Sequence, residues 1–241
     1  MIKRLFIALV LVMLAVIFLD LAANYHENTS LSPLGYYYAE EGPAELGAAN
    51  LVTAVVVTYR GLDTLGEVTV LFISAAGVGL MLRRERKTGR DNGENGDAKM
   101  RRHKPSSEIV ETATELLLPM VILFGIYVFL NGHLSPGGGF QGGAIIASGT
   151  MFLLLALPES HISRLLIAIM ESLSGFSYVV VGVLGVILAG GFLDNRIMGL
   201  GTLGSLFSAG AIPVIYAFIG IKVGFELSAV LDRFREDSDI T

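Results

Sequence analysis

Long runs of apolar residues alternate along the chain with short polar connections. Six of these runs approach or exceed the roughly 20 residues that a helix needs to cross the hydrocarbon core of a bilayer. Because no water is available there to bond the backbone, spanning segments of this kind form α-helices. The predicted spans are residues 5–23, 65–82, 110–130, 142–157, 165–189 and 203–231. The pattern predicts an all-α polytopic membrane protein with about six transmembrane helices.

Two apolar stretches, one of them the first predicted span, are ambiguous. Residues 46–59, LGAANLVTAVVVTY, are too few to span a bilayer comfortably and predict an interfacial or partly inserted helix. The first long run follows Lys3 and Arg4 and ends in small residues, a pattern that a signal peptide shares. We expect a membrane helix at this position, with a cleaved signal peptide as the alternative.

The charge pattern divides the chain in two. Residues 83–104 carry nine Lys or Arg and four Asp or Glu, a net charge of 9 − 4 = +5. Basic connections are retained in the cytoplasm, which places the segment 83–107 and both termini there. The loops 24–45, 131–141 and 190–202 then fall on the opposite side. We expect a two-span module at 1–86, a basic linker at 87–107 and a four-span module at 108–241.

The composition excludes several kinds of site. The chain is 53% hydrophobic and only 16% charged, against about 25% charged residues in a typical soluble domain. It has no cysteine, which excludes disulfides, thiolate metal sites and iron–sulfur clusters, and its four histidines show no metal-ligand spacing. The net charge of −5 argues against nucleic-acid binding. The sequence shows no combination of nucleophile, base and oxyanion site. We therefore expect no enzymatic activity of this chain on its own, and no cofactor bound by it.

A glycine-rich loop, NGHLSPGGGFQGG at 131–143, joins two of the predicted spans. It matches the pattern G-x-G-x-x-G, but no strand precedes it and no Gly-Lys-Ser/Thr ends it, which excludes a phosphate-binding loop. Two interpretations stay open: a turn followed by close helix packing, or a broken helix that lines a polar cavity. The residues of this candidate gate loop are His133, Pro136, Gly137, Gly138, Gly139, Phe140, Gly142 and Gly143.

Within that loop, Pro136 is expected to end the incoming helix. Two glycine pairs, Gly139 with Gly143 and Gly138 with Gly142, are spaced by four residues as in closely packed membrane helices. His133 is expected at the membrane interface, with a role as a proton gate as the alternative.

Ionisable residues within apolar sequence are costly in a membrane and point to function. The candidates for a cation or proton path are Asp63, Glu67, Glu115, Glu171, Lys222 and Glu226. Structural explanations compete with this hypothesis at two places. Thr64 and Glu67 fit a capping box, with Arg60 neutralising Asp63. Lys222 and Glu226, spaced i, i+4, are expected to form an internal ion pair.

The two remaining acids have open roles. Glu115 shares a helix face with Glu108 and Glu111 and lies about 10 Å deeper than Glu108, so it is the better proton carrier of the three. Glu171 stands near several serines, where a buried partner or a polar cavity would each explain it.

These motifs carry a family resemblance. The sequence NGHLSPGGGFQGGAIIASG, inside residues 108–236, resembles the B subunit of Mrp-type (Mnh) multisubunit Na+/H+ antiporters. AANLVTAVVVTYRGLDTLGEVTVLFISAAGV, inside residues 1–86, is similar to the C-terminal tail of the large antiporter A subunit. The residues that carry the second match are Arg60, Gly61, Asp63, Thr64, Gly66 and Glu67. Tyr59 departs from the pattern, which has an acidic residue before the Arg-Gly.

The resemblance implies a non-catalytic membrane subunit of a Na+/H+ antiporter module, with Na+ and H+ as transported ions. Its partners would be other Mrp-type antiporter subunits, hydrogenase-like redox subunits and the lipid bilayer. The long proton-pumping domain that precedes the tail in the A subunit is not in this sequence. The chain looks like two small subunits of a membrane-bound hydrogenase or its sulfur-reducing relatives joined by a basic linker, which favours a redox-driven complex.

Three alternatives stay open beside this expectation. The chain could serve a free-standing Mrp antiporter, or it could be a purely structural scaffold with every buried acid paired. A transporter that works alone is disfavoured because the spans show no inverted repeat.

Overall fold

The computed structural model describes residues 2–25, 30–91, 107–157 and 163–238. The basic linker lies mostly outside this described part, as do His26, His103 and His161. The elements, in chain order, are α1 (Ile2–Ala23), α2 (Pro33–Glu40), α3 (Gly42–Leu46), α4 (Leu51–Thr53), a π-helix (Ala54–Tyr59), α5 (Gly61–Asp91), α6 (Glu108–Leu130), α7 (Gly139–Ala156), α8 (Arg164–Leu188), a 3-10 turn (Asn195–Ile197) and α9 (Ile212–Ser238).

The prediction of an all-α protein with six spans is confirmed. Among the described residues, six helices are long and apolar enough to cross a membrane, and no strand is present. The candidate spans are Lys3–Ala23, Gly61–Leu82, Glu108–Leu130, Gly139–Ala156, Arg164–Leu188 and Ile212–Arg235. The chain is a multi-pass membrane protein.

The predicted start of the last span, at residue 203, is wrong. Residues 201–211 form turns, and α9 begins only at Ile212. Gly201 and Gly210 have φ angles of +67° and +56°, in the left-handed region where an α-helix cannot continue. Apolar composition alone does not indicate that the backbone leaves the helical conformation at these glycines.

Two compact units make up the chain: residues 1–37, which hold α1, and residues 38–241, which hold the remaining spans. In the larger unit, α9 packs against α5, α6, α7 and α8. It is also the most buried span, with 56% of its apolar window buried against 11–39% for the four helices around it. The helix that the sequence places last therefore forms the centre of the bundle.

Glycines let α7 approach its two neighbours closely. A Cβ on Gly139 or Gly143 would lie 2.6–2.7 Å from the Cβ atoms of Ile219 and Val223 on α9. A Cβ on Gly142 would lie 2.5 Å from the carbonyl oxygen of Gly125 on α6. No side chain fits at these distances, so the turn-plus-packing interpretation of the glycine loop describes α7 correctly.

The helix that leads into α5 is interrupted. The π-helix ends at Tyr59, the next residue Arg60 has φ and ψ of −124° and 37°, which are not helical, and α5 begins at Gly61. The predicted capping box is wrong, because Thr64 lies inside α5 and its Oγ1 donates a hydrogen bond to the Val56 carbonyl at 2.9 Å. This bond satisfies a carbonyl group of the π-helix across the break.

Candidate ion-transport site

The centre of the bundle holds an ion pair on α9. Lys222 and Glu226 are both buried, and the distance between Lys222 Nζ and Glu226 Oε2 is 3.0 Å. The predicted i, i+4 pairing is therefore confirmed. The Lys222 ammonium also lies 5.2 Å from the centre of the Phe72 ring on α5, within range of a cation–π contact. The second carboxylate oxygen of Glu226, Oε1, is buried without a hydrogen-bond partner among the described residues.

Glu171 on α8 adds a second carboxylate near this pair. Its side chain is half-buried, and it is close enough to Glu226 for the two carboxylates to interact electrostatically. One turn further along α8, a Cβ on Gly175 would lie 3.5 Å from Lys222 Cδ, so α8 packs directly on the lysine stem. The structure thus brings three of the six predicted ionisable residues into one cluster, which we call the α9 cluster: Glu171, Lys222 and Glu226.

Glu67 lies at the edge of this region. It is exposed on α5, but its charge reaches the buried hydroxyl groups of Tyr178 on α8 and Tyr216 on α9. The Tyr178 hydroxyl has no hydrogen-bond partner among the described residues. Sequence reasoning did not single out either tyrosine, because a tyrosine within an apolar run carries no signal of its own.

Asp63 and Glu115 lie apart from the α9 cluster. Asp63 is exposed in the first turn of α5 and pairs with Arg60 at 2.5 Å, which confirms the predicted local neutralisation. Glu115 is exposed on α6. Within the described part of the chain, the structure therefore does not bring the two together with the buried pair.

His133 is buried in the loop between α6 and α7, and its expected position at the membrane interface stays a prediction. Its Nε2 lies 3.4 Å from the Ser205 carbonyl oxygen, and its Nδ1 has no partner of good geometry among the described residues. Burial lowers the pKa of His133, and the nearby backbone carbonyls of Ser205, Leu130 and Leu206 offset this only in part. Burial therefore favours the neutral form of the imidazole.

A hydrogen-bond network, missed from sequence, connects the glycine loop to residues 50–53 and to α9. Thr53 Oγ1 donates to the Gly132 carbonyl at 2.6 Å and accepts from the Tyr216 hydroxyl at 3.0 Å. Asn50 Nδ2 donates to the carbonyls of Gly132 and Ser135 at 2.8 and 2.9 Å. The Asn50 side chain also caps α4, a role that its position before an apolar run could have indicated.

A second group of polar contacts surrounds the loop between α8 and α9. Arg196 binds Asp194 through Nη2 and Oδ2 at 2.5 Å and reaches Glu45 at 3.5 Å. Burial raises the pKa of Asp194, but the hydrogen bonds and charge of Arg196 lower it more, so the pKa lies below its usual value. Tyr59, which stands where the family pattern has an acid, donates to Glu45 Oε2 at 2.6 Å. A carboxylate is thus present beside this position, supplied by Glu45.

Buried Asn195 holds the same loop in place. Its Nδ2 donates to the carbonyls of Leu46 and Ala209 at 2.7 and 2.9 Å. Within the described ranges, no group of three or more His, Cys, Asp or Glu residues is arranged to hold a metal ion.

Two protein families match the chain. The family described as a domain related to the MnhB subunit of Na+/H+ antiporters matches residues 109–229. The family described as the E subunit of MBH matches residues 3–94.

Two curated relatives show how this similarity is distributed. An uncharacterised protein of Methanocaldococcus jannaschii is 30% identical over 195 residues, which cover 72% of each chain. The B subunit of the Na+/H+ antiporter of Bacillus subtilis is 43% identical over 67 residues, which cover 28% of this chain and 47% of that protein.

Two solved structures match almost the whole chain. One is a chain of the membrane-bound sulfane sulfur reductase, an archaeal respiratory membrane complex: it is 38% identical with a TM-score of 0.79, and the match covers 97% of this chain and 98% of that one. The other is a chain of the Mrp complex from Dietzia sp. DQ12-45-1b, 24% identical with a TM-score of 0.74. That match covers 96% of this chain but only 26% of the longer chain and shows the fold alone.

Proposed function

The chain belongs to the family of domains related to the MnhB subunit of Na+/H+ antiporters, and we propose that it is a non-catalytic membrane subunit of an Mrp-type cation/proton antiporter module in a redox-driven complex. The observation that carries this proposal is the match to a chain of the sulfane sulfur reductase complex over 97% of this chain and 98% of that one. Both modules therefore occur together in a chain of similar length in a respiratory membrane complex.

The contribution of this subunit would be structural and electrostatic. The closely packed α6, α7 and α9 form a rigid support, and the α9 cluster supplies ionisable groups inside the membrane. In this proposal the chain binds no cofactor, Na+ and H+ are the transported ions, and electron transfer takes place in partner subunits. The basic segment 83–107 and both termini would lie in the cytoplasm, with the glycine loop on the opposite side.

Two rival functions have specific support. The match to the B subunit of the Na+/H+ antiporter of Bacillus subtilis, 43% identical over 67 residues, favours a free-standing antiporter. The local pairing of Arg60 with Asp63 and of Lys222 with Glu226 favours a scaffold in which the acids are only structural. The full-length match at 38% identity leads us to prefer the redox-driven complex over both.

Purification through a tag on this chain, in mild detergent, tests the proposal. We expect antiporter-type membrane subunits to co-purify together with hydrophilic subunits that carry metal cofactors. Antiporter subunits without a redox arm would contradict the redox-driven complex and support the free-standing antiporter. Recovery of this chain alone, stable and monodisperse, would contradict both.

A further inference from the structure

The buried ionisable groups of the membrane helices are concentrated on one helix. Apart from tyrosines, five ionisable residues are buried among those described: His133, Asp194, Lys222, Glu226 and Asp232. His133 and Asp194 belong to loops, and the other three lie on α9, which is also the centre of the bundle. Charged groups are expensive in a membrane and occur there chiefly where ions or protons move. Asp232 pairs with Arg235 at 3.1 Å near the end of α9, so Lys222 and Glu226 are the two buried charges in the middle of the most buried helix.

The α9 cluster has an unbalanced charge. The Lys222 ammonium faces the Glu226 carboxylate at 3.0 Å, and the carboxylate of Glu171 interacts electrostatically with Glu226. With all three groups ionised, one positive charge faces two negative charges, a net of +1 − 2 = −1. Charge interactions are stronger inside a protein than in water, so the cluster favours taking up one positive charge. The unpartnered Oε1 of buried Glu226 is an open position for it.

We propose that Glu226 is a proton-binding site within the membrane, and that α9 carries protons through this subunit. The proposal rests on the proposed function and adds to it the ion that this cluster handles. An arriving proton forms an O–H bond on the Glu226 carboxylate, and Lys222 remains charged and is balanced by Glu171. Release of that proton restores the ion pair with Lys222.

The geometry favours a proton over Na+ at this position. Na+ is a hard cation that requires several oxygen ligands at once. At Glu226 one oxygen is already bound to an ammonium group, whose positive charge repels a second cation nearby. A proton needs only one oxygen lone pair, which Oε1 offers.

Polar groups continue along α9 in both directions from Glu226. Toward the glycine loop, the Tyr216 hydroxyl bonds to Thr53, whose hydroxyl bonds to the Gly132 carbonyl. Toward the other end, the Ser228 hydroxyl bonds to Thr150 on α7 at 2.9 Å, and buried Asp232, which pairs with Arg235 at 3.1 Å, lies one turn further on. Tyr216 and Asp232 are 16 residues apart, about 24 Å at 1.5 Å per residue, which is most of the bilayer core. Where two of these groups are too far apart for a direct hydrogen bond, water or groups of partner subunits would carry the proton between them.

Proton transport by the intact complex tests the proposal. The wild-type complex and its variants are reconstituted in proteoliposomes, a Na+ gradient is applied, and a pH-sensitive dye reports proton movement. Glu226→Gln keeps the shape of the side chain and a hydrogen-bond acceptor for Lys222 but binds no proton. We expect normal subunit composition and proton movement slower by about a hundred-fold, the lower range of what a positioned proton-transfer group contributes. Glu226→Asp is expected to restore part of the rate.

A double variant separates this role from a structural one. Lys222→Met with Glu226→Gln removes both charges, a replacement that buried ion pairs often tolerate. A structural pair predicts that this variant assembles and transports normally, whereas a proton site predicts assembly without transport. The matched control is Glu108→Gln, which removes an exposed carboxylate in the first turn of α6 and is expected to leave transport unchanged.

If the variants at Glu226 fail to assemble, Glu171→Gln decides. Glu171 favours the proton on Glu226 by its negative charge, so its removal is expected to shift the pH profile of transport to lower pH. A wild-type rate in an assembled Glu226 variant, or an unshifted pH profile in Glu171→Gln, would overturn the proposal. Failure of the proposed function is recognised separately and earlier, because the wild-type chain would then not co-purify with antiporter subunits.

Discussion

His133 shows how the burial of one side chain makes a loop sensitive to pH. Its pKa in the folded chain is lowered below the ordinary 6.5 by burial, whereas the unfolded chain keeps the ordinary value. Below pH 6.5 the unfolded state therefore binds a proton that the folded state resists. The free energy of unfolding is therefore at its full value above pH 6.5 and decreases as the pH falls below 6.5. We expect the free energy of unfolding to fall by up to about 1.4 kcal/mol per pH unit below that point.

Thermal unfolding of detergent-purified protein between about pH 5 and pH 8, the range in which histidine titrates, measures this effect. His133→Gln is the matched variant, since its amide can donate to the Ser205 carbonyl but does not titrate. We expect this variant to lose the part of the pH dependence that lies between the two pKa values. Identical pH profiles for the wild type and the variant would contradict a buried, neutral His133.

Thr53 is a second residue whose effect is local and measurable. Its hydroxyl is buried, donates to the Gly132 carbonyl and accepts from Tyr216. Thr53→Val keeps the shape but leaves the buried Tyr216 hydroxyl without its partner, which costs about 1–3 kcal/mol, while the Gly132 carbonyl keeps its bond from Asn50. Thr69→Val is the control, because the exposed Thr69 hydroxyl only bonds back to Leu65 in its own helix. We expect a lower unfolding midpoint for Thr53→Val than for Thr69→Val, and equal midpoints would contradict the network.

The sequence predicted local contacts between residues well and contacts between distant residues poorly. The pair Lys222–Glu226 and the pair Arg60–Asp63 follow from helical spacing, and both are present. The bonds of Thr53 to Gly132 and Tyr216 connect residues 79 and 163 positions apart. No spacing rule indicates such a contact, because the fold alone brings these residues together. The burial of His133 escaped prediction for the same reason.

At the scale of elements, the contact between α7 and α9 depends on positions without a side chain. A Cβ on Gly143 would lie 2.7 Å from Val223 Cβ and 2.8 Å from the Gly220 carbonyl oxygen. Gly143→Ala therefore forces the two helices apart, and we expect a destabilisation of about 1–3 kcal/mol. The control is Gly77→Ala in α5, where a Cβ would meet nothing within 4 Å and alanine is the better helix former.

The unfolding midpoint of each glycine variant in detergent is the measurement. We expect Gly143→Ala to unfold at a lower temperature than the wild type, and Gly77→Ala at the same or a higher one. If both variants behave alike, the close approach of α7 to α9 is not what stabilises the bundle.

Prediction of elements succeeded where apolar length decides and failed where backbone conformation decides. All six spans were predicted from apolar runs that are long enough for a membrane helix. The start of α9 was misplaced because left-handed glycines end the helical path inside an apolar sequence. The division between residues 46–59 and the next span was predicted, but the π-helix before Arg60 was not, because its sequence has the composition of an ordinary helix. The break is bridged by the bond from Thr64 to the Val56 carbonyl, which helical spacing does not indicate.

At the scale of the whole molecule, the two family matches meet along one interface. Asn50 and Thr53 bind the glycine loop. Phe72 on α5 contacts the Lys222 ammonium on α9. Further along, Arg233 on α9 donates a hydrogen bond to the Ala75 carbonyl on α5 at 3.1 Å. The contacts thus extend from Asn50 into the first half of α5. An interface of this extent does not require a covalent link between its two sides.

The covalent linker should therefore be dispensable for association. When residues 1–95 and 96–241 are produced as two chains in the same membrane, with a tag on the first, we expect the second to co-purify with it. The bonds of Asn50 and Thr53 to the glycine loop are buried or half-buried and fix the position of one chain on the other. Combining Asn50→Ala with Thr53→Val in the split protein should reduce recovery of the second chain, while Thr69→Val should not. Separate recovery of two folded halves would show that the linker, rather than the interface along α5, keeps them together.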